Sequence, residues 1–318
     1  MKFKEEELKE FAKPLSELEE EQCKHAIEMV SSALRELGLK ETGEISKKFE
    51  KTPSYEVKMS GYNGYEVKIF LQGSYANNTN VKKNSDIDIA IVEEDRFYDL
   101  YREGIKASDY GITEAKPRAR TFKDEVLLLL KQKFGDAVIR KNKSIKISGN
   151  SYRKDADTVP AYRYRNYSKD FLLDINNYIG GICILTDDGK RIINYPEQHL
   201  ENGIEKNKNT NYYFKKMVRV AKEMRYIMID MDDDSAKAIS SYLVECLIWN
   251  VPDDKFTKYI SYGFIFKDVI KYLYDNRNII VSFKEVDGIK YIRDDDIKRI
   301  DVCKKFVESL FEFYEYEF

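Results

Sequence analysis

Asp86 and Asp88 alternate with Ile87, Ile89 and Ile91 in the run 85–93, which begins at Ser85. Successive side chains of a β-strand point to opposite faces, so the isoleucines belong to a core and both carboxylates share the other face. Like charges held together need a counter-charge. A divalent cation supplies one, and Mg²⁺ favours hard oxygen ligands drawn from a few carboxylates and the phosphates of a substrate. Upstream, an apolar and β-branched run, 65–71, stops at Gly73-Ser74. A turn residue without a Cβ lets a phosphate approach the backbone closely. A solvated Asp-Ile-Asp on an edge strand is the bland reading of the dipeptide alone; with the Gly-Ser turn beside it, the pattern points to phosphoryl transfer onto a hydroxyl.

Two metal ions about 4 Å apart need at least three acidic ligands. The third is expected in Asp155-Ala156-Asp157-Thr158-Val159-Pro160, after a basic hairpin over 138–147 whose turn is Lys141-Asn142-Lys143. Asp155 and Asp157 lie on one face by parity, and spacing does not choose between them.

The elements that must position these groups follow from periodicity. Residues 14–39 read as a long amphipathic helix, with Leu15, Leu18, Cys23, Ile27, Val30 and Leu34 near helical spacing. Residues 61–64 read as a loop, and 121–134 as a helix. Strands are expected at 181–185 and 191–195, joined by the turn Asp187-Asp188-Gly189. From Asn207 onward helices dominate. Within the expected helix 211–229, Arg219 and Lys222 are three apart and share a face. Two acidic runs, Asp232-Asp233-Asp234 and Asp294-Asp295-Asp296, precede helices and read as caps and dipole partners rather than metal sites.

At 318 residues the chain is long enough for a large core or two lobes. Its formal charge, 54 minus 56 or −2, argues against a surface built to grip duplex nucleic acid. Basic clusters are local: Lys82-Lys83, Lys116 with Arg118 and Arg120, and Arg140, Lys141, Lys143 and Lys146. Cys23, Cys183, Cys246 and Cys303 are scattered, without zinc spacing or a secreted disulfide frame, which implies reduced thiols and a cytoplasmic protein. No apolar run approaches about 18 residues, and the Glu- and Lys-rich start is no signal peptide, so no membrane association is expected. His25 and His199 are the only histidines, which weighs against His-centred hydrolysis.

Blocks spread over about residues 65–255 resemble the polymerase-β-like nucleotidyltransferases, specifically the bacterial relatives of cyclic GMP-AMP synthase called CD-NTases, and most nearly their clade E. These are Phe70-Leu71-Gln72-Gly73-Ser74-Tyr75-Ala76-Asn77-Asn78-Thr79-Asn80; Ile193-Asn194-Tyr195-Pro196-Glu197-Gln198-His199 with Asn202-Gly203; Lys206-Asn207 with Thr210; Val218-Arg219 with Lys222; and Ser240-Ser241-Tyr242-Leu243-Val244-Glu245-Cys246 with Asn250-Val251-Pro252. The Asp-Thr-Val-Pro continuation matches the family at Asp157, and so selects it over Asp155.

The resemblance implies an α+β fold: a mixed-sheet nucleotidyltransferase lobe with an N-terminal spine helix, 1–200, and an oligoadenylate-synthase-like helical lobe, 201–318, with the active site in the cleft between them. It implies a cyclic dinucleotide synthase in which Asp86, Asp88 and Asp157 ligate two Mg²⁺ ions, Mn²⁺ being a substitute, and Asp157 helps deprotonate the attacking ribose hydroxyl. Gln72, Gly73, Ser74, Lys206, Arg219, Lys222 and Ser241 would hold the donor nucleotide, and Tyr242 would stack on its base. An Asn before Tyr-Pro, here Asn194, goes in this clade with a pyrimidine nucleotide; its carboxamide can pair with the N3–H and O4 edge of uracil or, flipped, with cytosine. UTP and ATP are the expected substrates of a monomer whose product, a second messenger of antiphage defence, reaches a separate effector. The rivals are a linear oligonucleotide, RNA or protein nucleotidyltransferase of the same fold, and a catalytically silent nucleotide-binding module.

Overall fold

The computed structural model describes residues 1–81, 86–150 and 154–317. Ser85 and the Lys82-Lys83 pair lie outside the described residues. The chain begins with β1 (Lys2–Phe3), α1 (Glu5–Phe11), α2 (Glu17–Leu34), β2 (Lys40–Glu41), β3 (Ser46–Lys47), β4 (Tyr55–Ser60) and β5 (Glu66–Gln72). A single helical turn, α3 (Gly73–Ala76), leads toward β6 (Ile87–Leu100), then α4 (Phe122–Phe134), β7 (Val138–Arg140), β8 (Ile145–Ile147), β9 (Ala156–Asn166), β10 (Ile179–Leu185) and β11 (Arg191–Asn194). Helices follow: α5 (Pro196–Asn209), α6 (Phe214–Asp230), α7 (Asp234–Ala238), α8 (Ser241–Trp249), α9 (Asp254–Thr257), α10 (Tyr262–Asp275) and α11 (Arg299–Phe313), before β12 (Glu315–Tyr316).

The contacts divide the chain into two units. The sheet unit, Ser16–Ala76 with Asp86–Glu197, holds a ten-stranded mixed sheet among the described residues, whose main path is β11-β10-β9-β6-β5-β4-β2. Only β6 and β9 pair in parallel within it; β3 adds to β4, and the β7–β8 hairpin adds to the start of β9. The isoleucine face of β6 is core: Ile87, Ile89 and Ile91 are buried, as are Ile69 and Leu71 of β5. The aspartate face carries a smaller apolar cluster of Phe70, Ala90, Val92, Val159, Ala161, Ile182 and Ile184. Where the alternation expected of 85–93 ends, the strand does not. A register shift between Glu93 and Phe97 lets β6 run on to Leu100 beside β9, because a bulge absorbs the break in period.

The other unit joins Met1–Leu15 and Asn77–Ser85 to Gln198–Phe318. A division at residue 200 resembles this boundary, but two short segments from the first half of the chain belong with the helices. Leu8 and Ala12 of the N-terminal segment bury against Phe214, Met217, Val218 and Ala221 of α6, and the core continues through α8, α10 and α11. β1 pairs in parallel with β12, tying one end of the chain to the other.

The helix expected over 14–39 begins only at Glu17. Ser16 is its N-cap: the Ser16 hydroxyl accepts the Glu19 N–H while Glu19 accepts the Ser16 N–H, a reciprocal capping box. It ends at Leu34, followed by a 3₁₀ turn, and Leu18, expected on the apolar face, is 65% exposed. The acidic runs split. Asp233 caps α7 by accepting the Ala236 N–H at 2.8 Å. Before α11, however, Asp295 pairs with Lys290 and Arg299 instead, at 2.6 and 2.9 Å, and the cap position is Lys298. All four cysteines are free thiols and buried. Among the described residues no helix is long and apolar enough to cross a membrane.

Ile89 is fully buried and holds the strand directly after Asp88 against the core. Ile89→Ala should lower the unfolding free energy by about 2–5 kcal/mol, read from urea denaturation midpoints.

Candidate active site

Pairing register assembles the acidic site. Asp88 on β6 stands opposite Gln72 at the end of antiparallel β5 and opposite Asp157 on parallel β9. Asp86 precedes β6 by one residue on the same face. Asp155 lies just before β9; its carboxylate accepts the Gly149 N–H and pairs with Lys146. The two positions that parity left equivalent therefore differ in place, and Asp157 is the one across from Asp88.

Gly73 closes the other side. Its φ is +68°, and a Cβ there would lie 2.5 Å from Asp88 Oδ2. Both facts demand glycine: the left-handed backbone disfavours a side chain, and the Asp88 carboxylate occupies the space one would fill. Among the described residues Asp88 makes no hydrogen bond or ion pair. Burial, with the charges of Asp157 and Asp86 added, pushes its carboxyl up to about 7 against the influence of Lys141. The neighbours do have partners. Lys141 Nζ donates to both carboxylate oxygens of Asp157, at 3.0 and 3.2 Å, and Lys146 Nζ donates to Asp86 at 3.3 Å. In this arrangement no group of three or more His, Cys, Asp or Glu among the described residues is set to hold a metal ion. The chemistry of the donor set nonetheless suits a hard cation: three carboxylates, one without a partner, beside a glycine cradle that a Cβ would fill.

The other residues expected at the site fall into two groups. In the sheet unit, Ser74 is half-buried in α3 directly after Gly73, and Gln72 ends β5. Asn194 ends β11 opposite Ile182, half-exposed, with no side-chain hydrogen bond among the described residues. The following Glu197 is anchored by Lys68 and Arg163, each at 2.8 Å; burial opposes its charge, but these cations hold its carboxyl down at about 2.

In the helical unit every expected cation already has a partner. Arg219 donates to the carbonyls of Ala12 and Asn78, and burial lowers its guanidinium to about 10. Lys222 donates to the Thr79 carbonyl at 3.0 Å and pairs with Glu245 at 2.7 Å. Thr79 and His199 complete the shell of Glu245, at 2.8 and 2.9 Å; burial would raise that carboxyl, yet Lys222 and His199 hold it below the usual range. Lys206 Nζ donates to the Val251 carbonyl at 2.6 Å and pairs with Asp253 at 2.5 Å. The Ser241 hydroxyl accepts from Arg225 at 3.4 Å. The Tyr242 hydroxyl donates to Glu285 at 3.0 Å, and its ring lies 5.5 Å from that of His199. As placed, Arg219 and Lys222 hold the segment after α3 by its carbonyls.

Sequence reading placed Lys141 and Lys146 in a basic cluster without pairing either with a particular aspartate. The signal for Lys146 was available: Ile145 and Ile147 flank it and are buried, so strand alternation turns it to the aspartate face.

Comparison with known proteins agrees with this geometry. Residues 58–148 match the model of the nucleotidyltransferase domain, and residues 201–315 that of the cGAS/DncV-like nucleotidyltransferase C-terminal helical domain. The chain is 46% identical over 318 residues to the cyclic GMP-AMP synthase CdnE03 of Staphylococcus schleiferi, covering 99% of this chain and 98% of that one. It is 38% identical over 285 residues to the cyclic dipyrimidine nucleotide synthase CdnE of Cecembia lonarensis, covering 89% and 88%. The solved CdnE cyclic dinucleotide synthase of Elizabethkingia meningoseptica, with GTP and Apcpp, superposes with a TM-score of 0.73 at 30% identity over 98% of both chains.

Two outcomes follow from the geometry. Gly73→Ala should displace the Asp88 carboxylate and lower turnover about 100-fold, with nucleotide incorporation as the readout. For Asp88, a folded-state carboxyl near 7 binds a proton that the unfolded chain releases near 4, so its charge destabilises the fold fully above pH 7 and progressively less as pH falls toward 4. Asp88→Asn should therefore melt a few degrees higher than the parent in metal-free buffer at pH 8, with the gap closing toward pH 5, while turnover is lost.

Motif order, acidic geometry and full-length identity converge: the chain belongs to the CdnE-like branch of the cGAS/DncV-like nucleotidyltransferases, a family of cyclic nucleotide synthases.

Proposed function

We propose that this chain joins two nucleoside triphosphates into a cyclic dinucleotide, with Asp86, Asp88 and Asp157 as ligands of Mg²⁺. The observation that carries this reading is the placement of a half-buried Asp88, unpartnered among the described residues, between Asp157 and the Gly73 turn. In each of two rounds a ribose hydroxyl oxygen bonds to the α-phosphorus of a triphosphate. The bond from that phosphorus to the bridging oxygen breaks, pyrophosphate leaves, and the hydroxyl proton passes to Asp157. Bound divalent cations would supply charge stabilisation to the attacking and departing oxygens. The backbone at Gly73-Ser74 admits the phosphates, and Gln72 and Ser74 border that entry. Lys206, Arg219, Lys222, Ser241 and Tyr242 would bind the donor nucleotide in this reading. The product would serve as a second messenger of antiphage defence acting on a separate effector.

Two readings of the base each have an observation behind them. The carboxamide of Asn194, without a hydrogen bond among the described residues and ahead of Tyr195-Pro196, favours a pyrimidine, uridine first, alongside adenosine. The relative sharing 46% identity is a cyclic GMP-AMP synthase, which favours two purines.

Incubation of the protein with each α-labelled NTP pair and Mg²⁺, then phosphatase and chromatography, separates them. A phosphatase-resistant uridine label is expected, and Asn194→Ser should shift use toward purines. Purine-only products refute the uridine assignment. Label that phosphatase removes makes the product linear, and turnover surviving in Asp86→Asn/Asp88→Asn refutes the catalytic assignment itself.

A further inference from the structure

Two amines stand at the acidic site without a part in the reaction as derived. Lys141 holds both oxygens of Asp157, and Lys146 bridges Asp86 and Asp155. Both belong to the β7–β8 hairpin, whose tip is bolted in place. Lys123 Nζ donates to the carbonyls of Lys141 and Asn142, at 2.7 and 2.8 Å. Arg140 pairs with Asp124 and Asp187, at 2.6 and 2.8 Å. The Asp188 N–H donates to the Asn142 side-chain oxygen at 3.2 Å, and the Asp187 N–H to the Asn142 carbonyl at 3.1 Å. With the hairpin backbone held from α4 and from the β10–β11 turn, the parts left to move are the flexible four-carbon side chains of Lys141 and Lys146. Lys146 also stands directly opposite Asp157 in the β8–β9 register, so both amines reach the carboxylates from one edge of the sheet.

We propose that Lys141 and Lys146 are internal counter-ions of the site, which hold Asp157 and Asp86 while no divalent cation is bound and release them when one enters. The inference rests on the metal reading of the three aspartates and adds a consequence to it. An ammonium beside a carboxylate offsets the negative potential that attracts a second cation, so the lysines weaken metal binding in the absence of nucleotide. Once released, each amine can pair with phosphate oxygens. Metal and triphosphate then favour each other's binding, and three bare carboxylates are never left facing one another between turnovers.

Mn²⁺ titration of the full chain without nucleotide, with free Mn²⁺ followed by electron paramagnetic resonance, provides the first test. Lys141→Gln and Lys146→Gln should each bind Mn²⁺ about three- to fivefold more tightly than the parent, the range expected for losing a partly exposed ion pair. The second test needs no variant: acetylation of the parent read by mass spectrometry should show Lys141 and Lys146 becoming more reactive when Mn²⁺ is added. Exposed Lys143 in the same turn should not change, and serves as the internal control. Unchanged or weaker Mn²⁺ affinity in the variants, or unchanged acetylation of the parent, overturns the counter-ion role alone. No Mn²⁺ uptake by any of the three proteins overturns the metal reading on which it rests.

Discussion

A carboxylate placed where it cannot comfortably be charged is the constraint around which the sheet unit is arranged. Asp88 sits in the middle of the strand path, with Asp157 on one neighbour and the Gly73 turn on the other, and among the described residues it has no partner of its own. Burial and like charge both work against its ionisation. The fold tolerates this because the apolar face of β6 is well packed: Ile87, Ile89 and Ile91 are buried, and hydrogen-bonded strands flank the strand on both sides. Local electrostatic strain at a functional position is thus carried by a core that gains nothing from the aspartates.

The hairpin β7–β8 answers the same constraint from the edge. Its basic composition reads in isolation as a solvated turn, but its lysines meet carboxylates and its tip is tied to α4 and to the β10–β11 turn. Charge is balanced pair by pair, Lys141 with Asp157 and Lys146 with Asp86 and Asp155, and among the described residues Asp88 has no pair. This asymmetry distinguishes the site from an ordinary surface ion-pair network, in which each charge has a mate.

The helical unit follows a different logic. Apart from Lys215, whose amine burial pushes down to about 8, its central buried charges find partners: Glu245 gathers Lys222, His199 and Thr79, and Arg219 gives its guanidinium to backbone carbonyls. Leaving any of these groups alone in the interior would be costly, so the network fixes both α6 and the segment beginning at Asn77. The basic pair that helical spacing put on one face of α6 does share that face. Its immediate role is to hold chain from a distant part of the sequence.

Much of this was legible before any coordinates. Alternation of Ile87, Ile89 and Ile91 with Asp86 and Asp88 needs only the local geometry of an extended backbone, and it holds up to the register shift after Glu93. The hairpin, the helix capped by Thr121 and the strands on either side of Asp187-Asp188-Gly189 were likewise set by neighbouring residues. Tertiary structure alone decided the rest. Parity could not separate Asp155 from Asp157, because that choice depends on the register of β9 against β6, two strands far apart in sequence. Lys141 could not be told from a solvated turn, nor the partners of Lys146 named, without knowing which carboxylates the sheet would bring beside them. Nor could periodicity assign the first fifteen residues to the helical unit, since their apolar side chains find partners far along the sequence, around residue 220 and at Phe313 and Tyr314. Local pattern determines which way a side chain points; which charge or surface waits there is a property of the closed fold.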